Sequence, residues 1–230
     1  MSELDVLYSD NHLLAVAKPA GLPTVADASG DESLQELAKE FVRREKAKPG
    51  NVFLGVVHRL DRPVSGIVLF ARTSKGAERL SAAFRERRVE KRYLALTERP
   101  PDRRSGEIEQ WLLKDERTNV VRALAAPRDG ALLATTRFQC LGEFEFEGAR
   151  RGLVELEPLT GRPHQLRVAL ASLGAPILGD LKYGAARPLA DQSVALHARS
   201  LVVPHPTRGD DVRIDCPPPA RPWWRASGAR

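Results

Sequence analysis

The apolar positions of this chain fall into short runs and striped segments, and the two kinds predict different elements. Val52–Val57 and Ile67–Ala71 are short runs, rich in β-branched and aromatic residues and bounded by breakers, so each predicts a buried strand. Between them lies a polar break, His58-Arg59-Leu60-Asp61-Arg62-Pro63-Val64-Ser65-Gly66. Near the start, Val6–Leu22 predicts a strand, a polar turn and a second strand, stopped by Pro19 and Gly21. After Asp31, residues Leu34, Leu37, Ala38, Phe41 and Val42 repeat at helical spacing. Ser33 and Glu36 have capping-box spacing at its start, and Pro49-Gly50 should stop it. A second helix is expected over 75–87, with Ala77, Leu80, Ala83 and Phe84 inward and Arg79, Arg85, Arg87 and Arg88 outward. That basic face is either simply solvated or turned towards RNA.

Further along, Glu90–Leu96 predicts a strand. Residues 100–130 predict a hairpin region around the apolar island Ile108–Leu113. Thr135–Cys140 and Leu153–Leu156 predict two more strands. A third helix is expected over 163–173, with Thr160 as its cap, Pro163 in its first turn and Gly174 at its end. Its stripe of Leu166, Leu170 and Leu173 leaves His164 and Arg167 towards the other side. Strands with few interspersed helices argue for α+β. The organisation expected is a catalytic domain over 1–215 and a proline-rich extension over 216–230, whose Trp223 and Trp224 pack back on the body.

The length of 230 residues easily supports a core, and 42% hydrophobic with 29% charged residues is ordinary for a soluble globular protein. No apolar run reaches the length needed to cross a bilayer, and the acidic start Met1-Ser2-Glu3-Leu4-Asp5 is unlike a secretory signal, so a cytoplasmic protein is expected. Cys140 and Cys216 lack metal-ligand spacing and are expected to be reduced, with a disulfide left open. The net charge of +6 comes with 28 arginines and 8 lysines. That balance suits a polyanionic partner, since arginine contacts phosphate bidentately and stacks on bases. Codon bias in an alanine-rich chain would give the same composition.

Asp61 is the first candidate for chemistry: a carboxylate among arginines, on a loop held by two strands, where reactive side chains are often presented. A plain turn would use the same residue types. The His58-Arg59-Leu60-Asp61 block resembles the catalytic motif of the RluA-type RNA pseudouridine synthases, with Val64 where that family has Thr. Four further blocks follow in the family's order. They are Val6–Leu22, Glu90–Leu96 with its Lys91-Arg92-Tyr93, Leu159–Val168 with Gly161-Arg162-Pro163-His164-Gln165-Leu166-Arg167, and Pro176–Gly184 followed by Leu196-His197-Ala198. Ala169 stands where a His is common and Leu181 where a Pro is common.

The resemblance implies a mixed, largely antiparallel sheet with helices packed on it and a central basic RNA-binding cleft. It implies a cofactor-independent isomerase that flips a uridine out of structured ribosomal or transfer RNA. Asp61 would be the nucleophile, Arg167 the guanidinium that keeps it ionised, and Tyr93 the ring that stacks on the flipped base. Arg59 would fill the vacated space, with Arg62, His58, Arg162 and His164 as further RNA contacts. Read without the resemblance, Tyr93 is a core tyrosine and Arg167 a surface or helix-end charge. His58, His164, His197 and Asp61 match no metal-binding spacing, so no metal is expected. Many relatives carry a preceding S4-type domain. This chain opens on the first strand pair and looks like a stand-alone catalytic domain, expected to be a monomer. A non-catalytic RNA-binding or chaperone protein of the same fold is the alternative. A third reading is a nuclease using His58 or His164 as general acid/base.

Overall fold

The computed structural model describes residues 4–46 and 51–229, so the helix stop expected at Pro49-Gly50 lies outside the described residues. Along the chain run β1 (Val6–Ser9), β2 (Leu13–Lys18), α1 (Leu34–Lys46), β3 (Gly55–Val56), β4 (Ser65–Ala71), α2 (Ser74–Arg85), β5 (Glu90–Thr97) and β6 (Ser105–Asp115). Then come β7 (Val120–Leu124), β8 (Leu132–Phe146), β9 (Ala149–Pro158), α3 (Gln165–Ser172), a 3-10 turn (Leu181–Tyr183), β10 (Leu196–Pro204), β11 (Asp211–Asp215) and α4 (Pro222–Ala226). The class is α+β, with mixed, mostly antiparallel strand pairing. Two compact units share the chain, the first comprising 1–91 and 198–217, the second 92–197 and 218–230.

In the first unit, β4 pairs antiparallel with β2 from Leu13↔Ala71 to Lys18↔Gly66, and all seven residues of β4 are buried. Leu13, Ala15, Ile67, Leu69 and Ala71 form a core with Leu80 and Ala83 of α2 and with Leu201, Val203, Val212 and Ile214 of β10 and β11. The expected stripe of α1 is carried by fully buried Leu34 and Ala38, and its capping box closes as read: Ser33 N donates to Glu36 Oε2 at 2.8 Å and Glu36 N to Ser33 Oγ at 3.3 Å. Thr73 caps α2 by accepting from Gly76 N at 3.0 Å. The strand expected over Val52–Val57 shrinks to Gly55 and Val56, which pair with Ala71 and Phe70, and Phe53 is half exposed.

Gly66 is dictated by its surroundings. Its φ is +117°, and a Cβ there would sit 2.4 Å from the carbonyl oxygen and 2.5 Å from the amide nitrogen of Ala198.

One polar knot ties the β1–β2 turn to the loop after β10. Asp10 Oδ1 accepts from His12 N and Leu13 N at 2.7 and 2.8 Å. Its Oδ2 accepts from Tyr8 Oη at 2.8 Å and lies 2.9 Å from His205 Nε2. Burial would raise this carboxyl, but the two backbone N–H groups, Tyr8 and His205 together bring it down to about 2. A carboxyl held below its unfolded value stabilises the fold above roughly pH 4 and loses that contribution as pH falls through about 2. The contribution is roughly 2 kcal/mol. Thermal melts should show wild-type stability dropping between pH 4 and 2, and Asp10→Asn should flatten that slope. An equal slope in both proteins would refute the assignment.

In the second unit the strands pair antiparallel in the order β5-β9-β8-β6-β7. The hairpin expected within 100–130 is β6 with β7, in register from Trp111↔Leu124 to Asp115↔Val120. Val168 of α3 packs with Leu112, Val121 and Ala134, and Tyr183 covers the cluster's edge. The tail closes on this unit as expected. Trp223 and Trp224 are buried, and the Trp224 ring meets His197 edge-on at 6.1 Å between centroids. Both cysteines are buried.

Candidate active site

Asp61 is half-buried on a loop whose backbone is fixed on both sides of it. On one side Leu60 N donates to Thr24 Oγ1 at 3.2 Å, and Thr24 Oγ1 donates to Leu60 O at 2.9 Å. On the other, Arg62 O accepts from Gly21 N at 2.8 Å and from Lys18 Nζ at 3.0 Å. The loop then turns with Val64 N donating to Asp61 O at 3.0 Å. Each such bond contributes about 0.5–1.5 kcal/mol, so the set holds the carboxylate's position against thermal motion. The side chains of Leu60 and Val64 are buried beneath it. Val64 therefore replaces a hydroxyl with an apolar anchor, and its backbone still closes the turn.

The Lys18-Pro19-Ala20-Gly21-Leu22 stop is the second half of this clamp. Lys18 is 1% exposed. Its Nζ donates to Pro19 O, Leu22 O and Arg62 O at 3.0, 2.8 and 3.0 Å. Burial pulls this amine down to about 7, with the negative charge of Asp61 opposing and Arg62 reinforcing. Three carbonyls match the three protons of an ammonium, so the cage suits the charged form. Lys18→Met takes this donor from Pro19 O and Leu22 O in a buried place, at about 1–3 kcal/mol each, while Arg62 O keeps Gly21 N as a donor. The expected result is a clearly lowered melting temperature. An unchanged melt would show that the cage does not support the loop.

The remaining residues of the motif divide by direction. His58 turns inward: its Nε2 accepts from Leu69 N at 2.9 Å, and its ring stacks on Phe84 at 4.9 Å. Burial, helped by the charge of Lys91, pushes its imidazole down to about 4, which keeps it neutral at physiological pH. It shapes the loop rather than offering a cation to phosphate. Arg62 lies on Asp31 and reaches Gly21 O at 2.9 Å, with Asp27 at 3.7 Å. These pairs are exposed, and the guanidinium itself stays 40% exposed. Arg59 is exposed, and no hydrogen bond or ion pair among the described residues holds its guanidinium.

The second unit carries the other candidates. Tyr93 is half-buried near the start of β5, opposite Leu156 of β9. The helix expected over 163–173 begins later, at Gln165, with His164 in the left-handed region at φ 50°. Thr160 does not cap it. Instead Gln165 Oε1 accepts from Thr160 Oγ1 at 2.8 Å and from Arg162 N at 3.0 Å, while its Nε2 donates to Thr135 O and Thr136 Oγ1, both at 2.9 Å. This amide bolts the start of α3 to β8. Arg162 Nε donates to Leu133 O at 3.0 Å, and His164 Nδ1 meets Tyr183 Oη at 2.6 Å.

Arg167 is neither a surface charge nor on a solvent-facing side. It is 5% exposed and forms a bidentate pair with Asp180, Nε to Oδ2 and Nη2 to Oδ1, both at 2.7 Å. Its guanidinium carbon lies 5.0 Å from the centroid of the Tyr183 ring. Lys18, Asp180, Tyr183 and Gln165 carry no role readable from their own local sequence. All four lie inside the matched blocks, and that was the only signal that could have raised them. Among the described residues no three His, Cys, Asp or Glu side chains gather as a metal site requires. None of their helices is long and apolar enough to cross a membrane.

Comparison with known proteins bears on the whole assembly. Residues 12–172 match the family model described as RNA pseudouridylate synthase. The tRNA pseudouridine synthase C of Haemophilus ducreyi is 36% identical over 226 residues, covering 92% of this chain and 90% of that one. The dual-specificity RNA pseudouridine synthase RluA of Salmonella typhi is 31% identical over 222 residues, covering 93% of each. The solved human RNA pseudouridylate synthase domain containing 1 superposes with a TM-score of 0.78 at 27% identity, over 96% of this chain and 86% of that one.

Proposed function

Given that this chain belongs to the RluA-type RNA pseudouridine synthases, isomerases that turn uridine in RNA into pseudouridine, we propose that Asp61 is its nucleophile. The observation that carries this reading is the clamp on both sides of Asp61, which spends Lys18, Gly21, Thr24 and the backbone of Leu60 and Arg62 on holding one carboxylate still.

The reaction breaks the N1–C1′ bond of a uridine, turns the base and joins C5 to C1′, releasing the C5 proton. The substrate's own atoms are rearranged, so the chemistry requires no cofactor. An ionised Asp61 attacks C1′ as the N1–C1′ bond breaks and the uracil leaves as its anion; after the base turns, C5 displaces the carboxylate from C1′, C5 gives up its proton, N1 takes one from water, and Asp61 is regenerated. Arg167 supplies the positive charge that keeps the carboxylate ionised. Tyr93 stacks on the extruded uracil, whose release from the stack costs a few kcal/mol. Arg59, exposed beside Asp61 in sequence, fills the space the base leaves. Arg162 and Arg62 add RNA contacts at the margin, and His58 and His164 hold the site's shape. The substrate is transfer RNA, ribosomal RNA or both, a choice supported by a relative named for tRNA and another named for dual specificity. The same reading takes 1–215 as the catalytic domain and 216–230 as its extension, in a cytoplasmic monomer.

Transcripts of tRNA and of large-subunit rRNA, labelled with tritium at uracil C5, test this directly. Release of tritium to water with the strands intact is the expected result. Strand scission without release would favour a nuclease, and binding without either would favour a chaperone.

A further inference from the structure

Arg167 is held more completely than a mere source of charge needs to be. Its Nε and Nη2 edge is taken bidentately by Asp180, which is 1% exposed. One face of its guanidinium lies against Tyr183. Tyr183 is itself fixed: its hydroxyl accepts from Val121 N at 2.9 Å and meets His164 Nδ1 at 2.6 Å, and its ring packs on the Leu112, Val121, Ala134 and Val168 cluster. Asp180 is fixed as well. It follows Gly179, whose φ of +80° and approach to Ser193 O leave no room for a side chain. Asp180 N donates to Ile177 O at 3.0 Å. Two edges of restraint, one in the guanidinium plane and one on its face, define the orientation of the group.

We propose that Asp180 and Tyr183 are positioning residues for catalysis, setting the direction in which Arg167 presents its charge. The inference rests on the reading that Arg167 keeps Asp61 ionised, and it adds that the charge serves only when aimed. A carboxylate partner also weakens the field of Arg167, so the arrangement trades strength for direction.

The trade gives opposite signs in a pH profile. Asp180→Asn removes a negative charge. Were charge alone at work, Arg167 would act more strongly and the acid limb of kcat would move down. If aim matters, the lost second hydrogen bond lets the guanidinium turn, and the limb moves up by about one unit. kcat at neutral pH should also fall by ~10–100-fold while KM stays within about threefold. Lys18, whose charge is coupled to that of Asp61, remains in place, and His164 is a titratable side chain that meets Tyr183 in the cluster. Tyr183→Leu removes the face contact while sparing Asp180 and should move the limb in the same direction, which keeps the test alive if Asp180→Asn does not fold.

A limb that is unmoved or lowered in the folded variants overturns the proposal, whatever happens to the melting temperature. Asp61→Asn is assayed beside them. Full turnover in that variant sinks the underlying reading. An inactive Asp61→Asn together with an unmoved limb sinks only the positioning role.

Discussion

Asp61→Asn should leave a folded protein that binds RNA and turns nothing over. The backbone atoms of Leu60, Arg62 and Val64 that shape the loop, and their partners Lys18, Gly21 and Thr24, all keep their donors and acceptors in this variant. An amide is nearly the shape of the carboxylate it replaces, so the melting temperature should move little. What is lost is the negative oxygen. An amide is a poor nucleophile and carries no charge for an arginine to stabilise. Loss of a nucleophile typically costs several orders of magnitude, so turnover should fall by at least ~10⁴-fold. The readouts are tritium release for turnover and filter binding for affinity, the latter staying within about threefold. Turnover close to wild type would end the assignment of Asp61. Lost binding together with lost turnover would mean that the loop, rather than the chemistry, had failed.

Arg167→Ala is expected to be the most destabilising of the substitutions considered. It leaves Asp180 as a carboxylate 1% exposed without its bidentate partner, and it opens a gap beside Tyr183. Breaking one side of a buried pair costs about 3–5 kcal/mol, a large part of the stability of an ordinary domain. Replacing both members together, as Arg167→Met with Asp180→Leu, removes the stranded charge and should recover much of that loss. Catalysis should not recover with it, because the guanidinium is still missing. Thermal melts and tritium release on the single and double variants separate the two roles. A double variant as unstable as the single one would mean that the pair acts through packing, and a double variant that turned over would exclude Arg167 from the chemistry.

The parts of the structure legible in the sequence are those decided by neighbours in the chain. Ser33 and Glu36 close the capping box of α1 within four residues, as their spacing predicts. The runs Ile67–Ala71 and Ile108–Leu113 are apolar enough to fix their own strands. What misled was distance. Val52–Val57 looks like a strand, yet only Gly55 and Val56 find partners on β4. The start of α3 is displaced because Gln165 spends its amide on Thr135 and Thr136, which lie 30 and 29 residues away. A stripe of leucines put Arg167 on the opposite side from the core, since periodicity counts only apolar residues and cannot register a buried arginine whose acid comes thirteen positions later. Lys18 at the end of β2 resembles a surface lysine until three carbonyls are seen to converge on it. Of the five residues expected to touch RNA, His58 and Arg62 are engaged by Leu69 N and by Asp31, partners that the motif alone does not reveal.

Gly66 ends the segment that carries Asp61, with the Ala198 backbone pressed where a side chain would begin. In a library randomised across 58–66, that column should come back with a single letter. The reason is architectural rather than chemical: even alanine would wedge the neighbouring backbone aside. A gene drifting under selection could explore positions 63 and 64, where Pro and Val already depart from or fall outside the motif's fixed letters, while position 66 stays frozen.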